Sequence, residues 1–144
     1  MAQVPLQLQV SLREGSVFYF QERKLSSPEP HFHIVVNDPL TQQVLLLTVV
    51  TSKIEKVKHR RRDCPNTLVE LGPGDLPKTL TAPSIVDCND LTSISLDEFC
   101  DRWARKEIET FAEDLPLALR KALRRAIHAS NILPDELKAL VAQS

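Results

Sequence analysis

The sequence has few cysteines, no long apolar run and almost no net charge. Its three cysteines, Cys64, Cys88 and Cys100, are odd in number and widely spaced, which argues against a disulfide framework or a zinc knuckle and indicates reduced thiols. No apolar run approaches the roughly 18 residues that a membrane-spanning helix needs, and the polar N-terminus lacks the layout of a signal peptide. We therefore expect a cytoplasmic protein without membrane segments, cofactor or metal site.

The formal net charge of -1 excludes a polycation, so any binding to nucleic acid must come from a local basic patch. The length of 144 residues, with 42% hydrophobic and 26% charged residues, is typical of one globular domain that buries a core. There is no internal repeat. One domain is therefore the starting expectation.

Short apolar and β-branched segments predict strands in the first two thirds of the chain. Residues 44–50 are so uniformly apolar that they predict a central strand buried on both faces. Turn signals such as Asn37-Asp-Pro39 and Gly72-Pro-Gly-Asp75 separate the strands. The other predicted strands are residues 16–20, 32–36, 67–71, and 84–88 with 92–94, which form one strand or two.

The pattern changes from strands to helices at Ser95. Ser95-Leu-Asp-Glu98 has the form of a capping box, in which the hydroxyl and the carboxylate satisfy free amides at the start of a helix. Phe99 and Trp103 follow near helical spacing, and Pro116 and Pro134 mark two further helix starts. The order of about six strands followed by two or three helices predicts an α+β fold.

A basic segment, Lys53-Ile-Glu-Lys-Val-Lys-His-Arg-Arg-Arg62, follows the central strand directly after Thr51-Ser52. We predict an exposed loop whose base is held rigidly by that strand, and whose positive charge binds a phosphodiester backbone or another polyanion. A merely solvated loop, or one that grips the acidic tail of a protein partner, remains an alternative. The candidate anion-binding residues are Lys53, Lys56, Lys58, Arg60, Arg61 and Arg62.

Three motifs in this order resemble the MazF/PemK/Kid toxin family, over about Gly15 to Phe99. Gly15 with a hydrophobic strand, a polar loop and His33-Ile-Val-Val36 is similar to the opening of that family. Val49-Val-Thr-Ser52 resembles its signature Thr-Ser at a strand end. Residues 85–94, Ile-Val-Asp-Cys-Asn-Asp-Leu-Thr-Ser-Ile, resemble its late strand.

The resemblance implies a small SH3-like β-barrel with a helix packed on it. The expected organisation is an N-terminal segment at 1–14, the barrel at 15–94 and a helical extension packed on it at 95–144, all in one domain. It also implies a homodimeric, metal-independent endoribonuclease of a toxin–antitoxin system. Its partners would be single-stranded RNA and an acidic antitoxin-like protein.

Two departures from the family pattern affect the expected site. Pro30-His-Phe-His33 stands where the family has Arg-Pro, and Asp87 and Asn89 stand where it has Arg and Asp. RNA cleavage by a 2'-hydroxyl needs a base, an acid and a cation that stabilises the charge on the phosphorane. His31 and His33 lie on one face of an extended segment, so they are candidates for the missing acid and base. The candidate catalytic residues are His31, His33, Thr51 and Ser52.

Each candidate also has a simpler structural interpretation. The two histidines can be packing residues at a strand entry, and the Thr51 and Ser52 hydroxyls can bond local backbone amides. The rival function is a non-catalytic barrel that binds a protein partner through its basic segment. A third is a barrel whose helices, with Trp103, form an oligomer interface.

Overall fold

The computed structural model describes residues 4–22 and 29–143, and its centre is a six-stranded sheet in the order β4-β5-β3-β2-β1-β6. All its strand pairs are antiparallel. The strands are β1 Ser16–Phe20, β2 His31–Val35, β3 Val44–Thr51, β4 Leu68–Leu71, β5 Ser84–Ser95 and β6 Glu109–Asp114. The α-helices are α1 Leu6–Gln9, α2 Pro39–Gln42, α3 Ile54–Arg60, α4 Leu96–Ala104, α5 Leu117–Ala129 and α6 Asp135–Lys138, and a 3-10 turn covers Pro65–Thr67.

Strand β3 is the central strand that its apolar sequence predicts. It pairs with β2 on one side and with β5 on the other. Leu46 and Val50 belong to a core on one face of the sheet, whereas Leu45 and Leu47 belong to a separate core on the other face. This division follows from the alternation of side chains along a strand, and it confirms burial on both faces.

Helices cover both faces of the sheet. Leu123 and Ile127 of α5 pack in the first core, which also includes residues of β2, β3, β4 and β5. Phe99 of α4 packs in the second core, where its ring meets Phe18 edge-to-face at a centroid distance of 5.0 Å. The α4 start is capped as predicted, because Ser95 Oγ accepts a hydrogen bond from the Glu98 amide at 3.1 Å.

The structure corrects two sequence-based expectations about the elements. The basic segment is not a loop: most of it forms α3, in which Val57 is buried. Segments 84–88 and 92–94 form one long strand, β5, which is one of the two arrangements expected. Segment 95–144 is not wholly helical, since it contains β6, which pairs with β1.

The expected closed barrel is not observed. Within residues 4–22 and 29–143 the strand pairings end at β4 and β6, so the sheet is open, with helices on its faces. No helix in that part of the chain is long and apolar enough to cross a membrane. Of the expected N-terminal segment 1–14, residues 4–14 are described and include α1.

Candidate functional site

A cavity of about 310 Å³ opens at the ends of β2 and β3, and we call it the strand-end groove. It brings together three of the four predicted catalytic residues, His31, Thr51 and Ser52, with one predicted cation, Lys53. The rest of its lining is Tyr19, Glu29, Pro30, Phe32, Val50, Thr79, Leu80, Thr81, Ala82 and Ser84.

Strand register explains why these residues meet. Phe32 of β2 lies opposite Val50 of β3. In an antiparallel pair the next residues outward, His31 and Thr51, are therefore neighbours at the same end of the sheet. Because β3 is buried in two cores, its end is a rigid base for the hydroxyls that follow it.

Two polar atoms of this lining have no hydrogen-bond partner in the described structure. They are Nδ1 of His31 and Oγ1 of Thr79, and both atoms are buried. A buried polar atom without a partner is costly, so the polar groups of this lining are not fully satisfied within the described structure.

Thr51 supports the turn that leaves β3. Its Oγ1 accepts a hydrogen bond from the Lys53 amide at 3.2 Å, which is the local bonding expected of a hydroxyl at a strand end. This bond uses a lone pair and leaves the hydroxyl proton for another acceptor. Ser52 and Lys53 are exposed beside it. The turn thus aims a hydroxyl and an ammonium group at the same space.

His33 does not line the groove. It is fully buried, its ring stacks on Phe20 at a centroid distance of 4.0 Å, and its Nδ1 lies 2.9 Å from the carbonyl oxygen of His31. Burial lowers the pKa of His33 to about 4. The hydrogen bond to the His31 backbone raises this pKa, whereas the positive charges of His31 and Arg102 lower it further. The expectation of two imidazoles side by side in one site is therefore corrected to one, that of His31.

The predicted anion-binding residues divide into two groups. Arg60 Nη2 and Arg61 Nε lie 3.0 and 2.8 Å from one carboxylate oxygen of Asp87, and Lys58 Nζ lies 3.4 Å from Glu70. Arg60 and Arg61 share one carboxylate and Lys58 lies near another, so the positive charge of these three side chains is offset only in part within the chain. The remaining three, Lys53, Lys56 and Arg62, are exposed.

Asp87 is the centre of a buried polar network. Its side chain is 7% exposed and accepts hydrogen bonds from both arginines and from the amide and side chain of Asn89, whose side chain also reaches Thr67. Burial raises the pKa of Asp87, but the hydrogen bonds from Arg61, Asn89 and Arg60 outweigh burial and hold it below its usual value. The network attaches α3 to β5.

Sequence reasoning missed Glu29 and Thr79 as groove residues. Glu29 directly precedes Pro30 and His31, so the dipeptide Glu-Pro at the strand entry was a readable signal for it. Thr79 lies in a segment without regular structure, and its sequence offered no such signal.

The cysteines and acidic residues show no further chemistry. Cys64, Cys88 and Cys100 are free thiols, and burial raises the pKa of both Cys88 and Cys100. Residues 4–22 and 29–143 contain no group of three His, Cys, Asp or Glu side chains that could hold a metal ion.

No protein-family model matches this chain, and no curated protein matches it. Among solved structures it is similar to the Mycobacterium tuberculosis toxin MazF-mt6, with a TM-score of 0.48 and 15% sequence identity. The match covers 79% of this chain and 94% of the toxin.

Proposed function

We propose that this chain is a toxin-like RNA-binding protein whose strand-end groove binds and cleaves single-stranded RNA without a metal ion. The observation that carries the proposal is the convergence of His31, Thr51, Ser52 and Lys53 in one cavity. An imidazole, two hydroxyls and an ammonium group are the side chains that a phosphodiester and its transition state require.

Glu29 and His31 supply a base and an acid for the reaction. The Glu29 carboxylate takes the proton of a ribose 2'-hydroxyl, whose oxygen then attacks the adjacent phosphorus. The bond from phosphorus to the 5'-oxygen breaks, and that oxygen receives a proton from the imidazolium of His31. The products are a 2',3'-cyclic phosphate and a free 5'-hydroxyl, so no metal or cofactor takes part.

Lys53 and the two hydroxyls bind the phosphate in this scheme. The ammonium group of Lys53 offsets the negative charge that grows on the phosphoryl oxygens, and Thr51 and Ser52 donate hydrogen bonds to them. Two further expectations of the family resemblance belong to the proposal: the protein is a divergent MazF/PemK-like cytoplasmic homodimer, and an acidic antitoxin-like partner covers the groove.

The experiment incubates pure protein with a long single-stranded RNA in EDTA. We expect cleavage, with 2',3'-cyclic phosphate ends. His31→Ala and Glu29→Gln should each slow cleavage by about 10²–10⁴-fold while RNA affinity changes little. His59→Ala is the matched control, because His59 is exposed on α3 and does not line the groove. Normal cleavage by His31→Ala would refute the mechanism.

A second function is favoured by the Asp87 network. Where the resembled family has an arginine on this strand, the chain has an aspartate that pairs with both Arg60 and Arg61. A non-catalytic module that binds an acidic protein partner through the exposed Lys53, Lys56 and Arg62 would need no acid or base. Binding of polyglutamate that Lys56→Ala weakens, together with absent RNA cleavage, would support this alternative.

A further inference from the structure

We propose that a second cavity, beside Trp103, stacks nucleobases of the RNA strand that continues out of the strand-end groove. This inference rests on the proposed function and extends its site. The cavity has a volume of about 1040 Å³, and we call it the tryptophan cavity. Tyr19 and Pro30 line both cavities, so the two are adjacent.

Three aromatic residues line this cavity. The sequence has one tryptophan and one tyrosine, and both line the tryptophan cavity together with Phe20. Trp103 and Tyr19 are each half-buried, so part of each side chain stays accessible. Partly exposed aromatic rings next to a backbone-binding groove are the usual platforms for unpaired bases, because every base has a face that can stack.

Packing holds the platforms in place. Tyr19 lies against Phe32, with ring centroids 4.7 Å apart. Trp103 packs on the second core near the end of α4, where its carbonyl oxygen accepts a hydrogen bond from the Lys106 amide at 3.0 Å. Rings fixed in this way lose little conformational freedom when a base stacks on them.

The charges of the cavity suit a base better than a phosphate. Arg102 and Lys106 line it together with Glu107 and Glu109, so the charges of this lining balance. Arg102 is also engaged within the chain, since it lies 3.5 Å from Glu22 and 3.6 Å from Glu107, with its guanidinium over the Phe20 ring. Phosphate binding is therefore assigned to Lys53 in the groove, and base stacking to this cavity.

The size of the cavity fits a strand rather than one free base. Its volume lies just above the range of about 300–1,000 Å³ that is usual for small-molecule sites. More than one nucleotide can therefore occupy it while the strand passes Tyr19 and Pro30 into the groove. The expected ligand is a short single-stranded segment.

Trp103 also reports on the test, since it is the only tryptophan of the chain. The probe is a fluorescein-labelled 2'-O-methyl RNA of mixed sequence, which lacks the nucleophilic hydroxyl and is not cleaved. Its anisotropy measures binding, and an unlabelled copy is titrated while tryptophan emission is recorded. We expect RNA to quench the tryptophan emission, with the same titration midpoint as the change in anisotropy. An oligonucleotide of the same length with abasic sites should bind about ten-fold more weakly and should not quench the emission.

Variants separate this inference from the proposed function. Trp103→Ala should weaken RNA binding about ten-fold, whereas Trp103→Phe should retain most of the affinity because an aromatic face remains. Lys53→Ala should also weaken RNA binding, but the bound RNA should still quench the tryptophan emission. Binding without quenching, unaffected by Trp103→Ala, would overturn the stacking site and leave the proposed function intact. If no RNA bound to the unsubstituted protein, both proposals would be refuted.

Discussion

The imidazole of His33 stacks on the ring of Phe20, with centroids 4.0 Å apart and ring planes 17° from parallel. The stacked pair lies inside the fold, because both side chains are almost fully buried. A charged imidazole is disfavoured in such surroundings, so His33 is neutral in the folded protein at neutral pH. The stacking therefore has a consequence for stability in acid.

We predict that acid destabilises the protein through His33. Its pKa is about 4 in the folded protein, against an ordinary value of 6.5, so below pH 6.5 the unfolded chain binds a proton that the folded chain does not. The free energy of unfolding should therefore fall as the pH drops from 6.5 to 4, by roughly 3 kcal/mol in all. Urea denaturation at about pH 7, 5 and 4 measures it.

The control for this prediction is His33→Phe, which keeps an aromatic ring beside Phe20 and cannot titrate. Its free energy of unfolding should depend less on pH over the same interval than that of the unsubstituted protein. Equal pH dependence in the two proteins would show that His33 is not the group responsible.

A second prediction concerns the carboxylate that holds α3. Asp87→Asn removes the negative charge that Arg60 and Arg61 share. Because both arginines are partly exposed, we expect the free energy of unfolding at pH 7 to fall by about 2 kcal/mol, which is less than the cost of breaking a fully buried pair. Because the pKa of Asp87 lies below its usual 3.8, this stabilisation is present above that pH and is lost as the pH falls through the lower, folded-state pKa.

Asp90→Asn is the matched control for Asp87, since it lies on the same strand and is exposed. It should change the free energy of unfolding by less than about 0.5 kcal/mol. Urea denaturation of both variants at pH 7 decides the comparison, and equal losses would mean that the network contributes nothing specific.

Gly15 offers a third test, because its backbone has a positive φ of 93°. Its amide donates to the Val35 carbonyl, and its carbonyl accepts from the Leu115 amide. A Cβ at this position would lie 2.7 Å from Cδ of Arg120. Gly15→Ala should therefore destabilise the protein by about 1–3 kcal/mol in thermal denaturation.

Gly74→Ala is the control for Gly15, since a Cβ there would meet no heavy atom within 4 Å. Its melting temperature should stay close to that of the unsubstituted protein. A similar loss in both variants would exclude the conformation and crowding at Gly15 as the cause.

The fourth prediction separates the two groups of cations in RNA binding. Lys53→Ala should reduce the slope of log affinity against log salt by about 0.7, as expected for one lost phosphate contact on a single strand. Arg61→Ala should leave that slope unchanged and lower stability instead, because Arg61 is bound to Asp87. Filter binding between about 50 and 200 mM salt, a range wide enough to resolve the slope, measures the difference.

The control for the salt experiment is Lys121→Ala on α5, an exposed lysine that does not line either cavity. Its slope should match that of the unsubstituted protein. A reduced slope for Arg61→Ala would mean that RNA displaces Asp87, and the division of the basic residues would be wrong.

The sequence predicted those elements whose signals are local. The apolar run of β3 and the serine cap before α4 each lie within a few residues, and the predicted central strand and the Ser95 cap are both confirmed. Helix α3 was misread because its charges were taken as a sign of a loop, although Lys and Glu favour helices and Val57 supplies a buried contact. Strand β6, Glu109–Asp114, carries acidic residues and becomes a strand by pairing with β1, which no local pattern reveals.

The candidate site shows the same limit. Residue types pointed to His31 and Thr51, but only the register of β2 against β3 makes them neighbours. His33 lies on the same face of the strand as His31, as the alternation of side chains predicts. It is two residues further into the sheet, however, and there it stacks on Phe20. Pairing of Arg61 with Asp87 joins residues distant in sequence, so the sequence offered no sign that the basic segment was partly neutralised.

The pairing of β1 with β6 joins Val17 to Phe111, which are far apart in the sequence. During synthesis, β1 and β2 leave the ribosome long before β6 does, so the nascent chain has an apolar β1 with one open edge for most of its translation. Such an edge can recruit a strand from another chain, and contacts this distant form late in folding. A chaperone that covers β1 until β6 arrives would therefore raise the yield of folded protein, and truncation before residue 109 should favour aggregation.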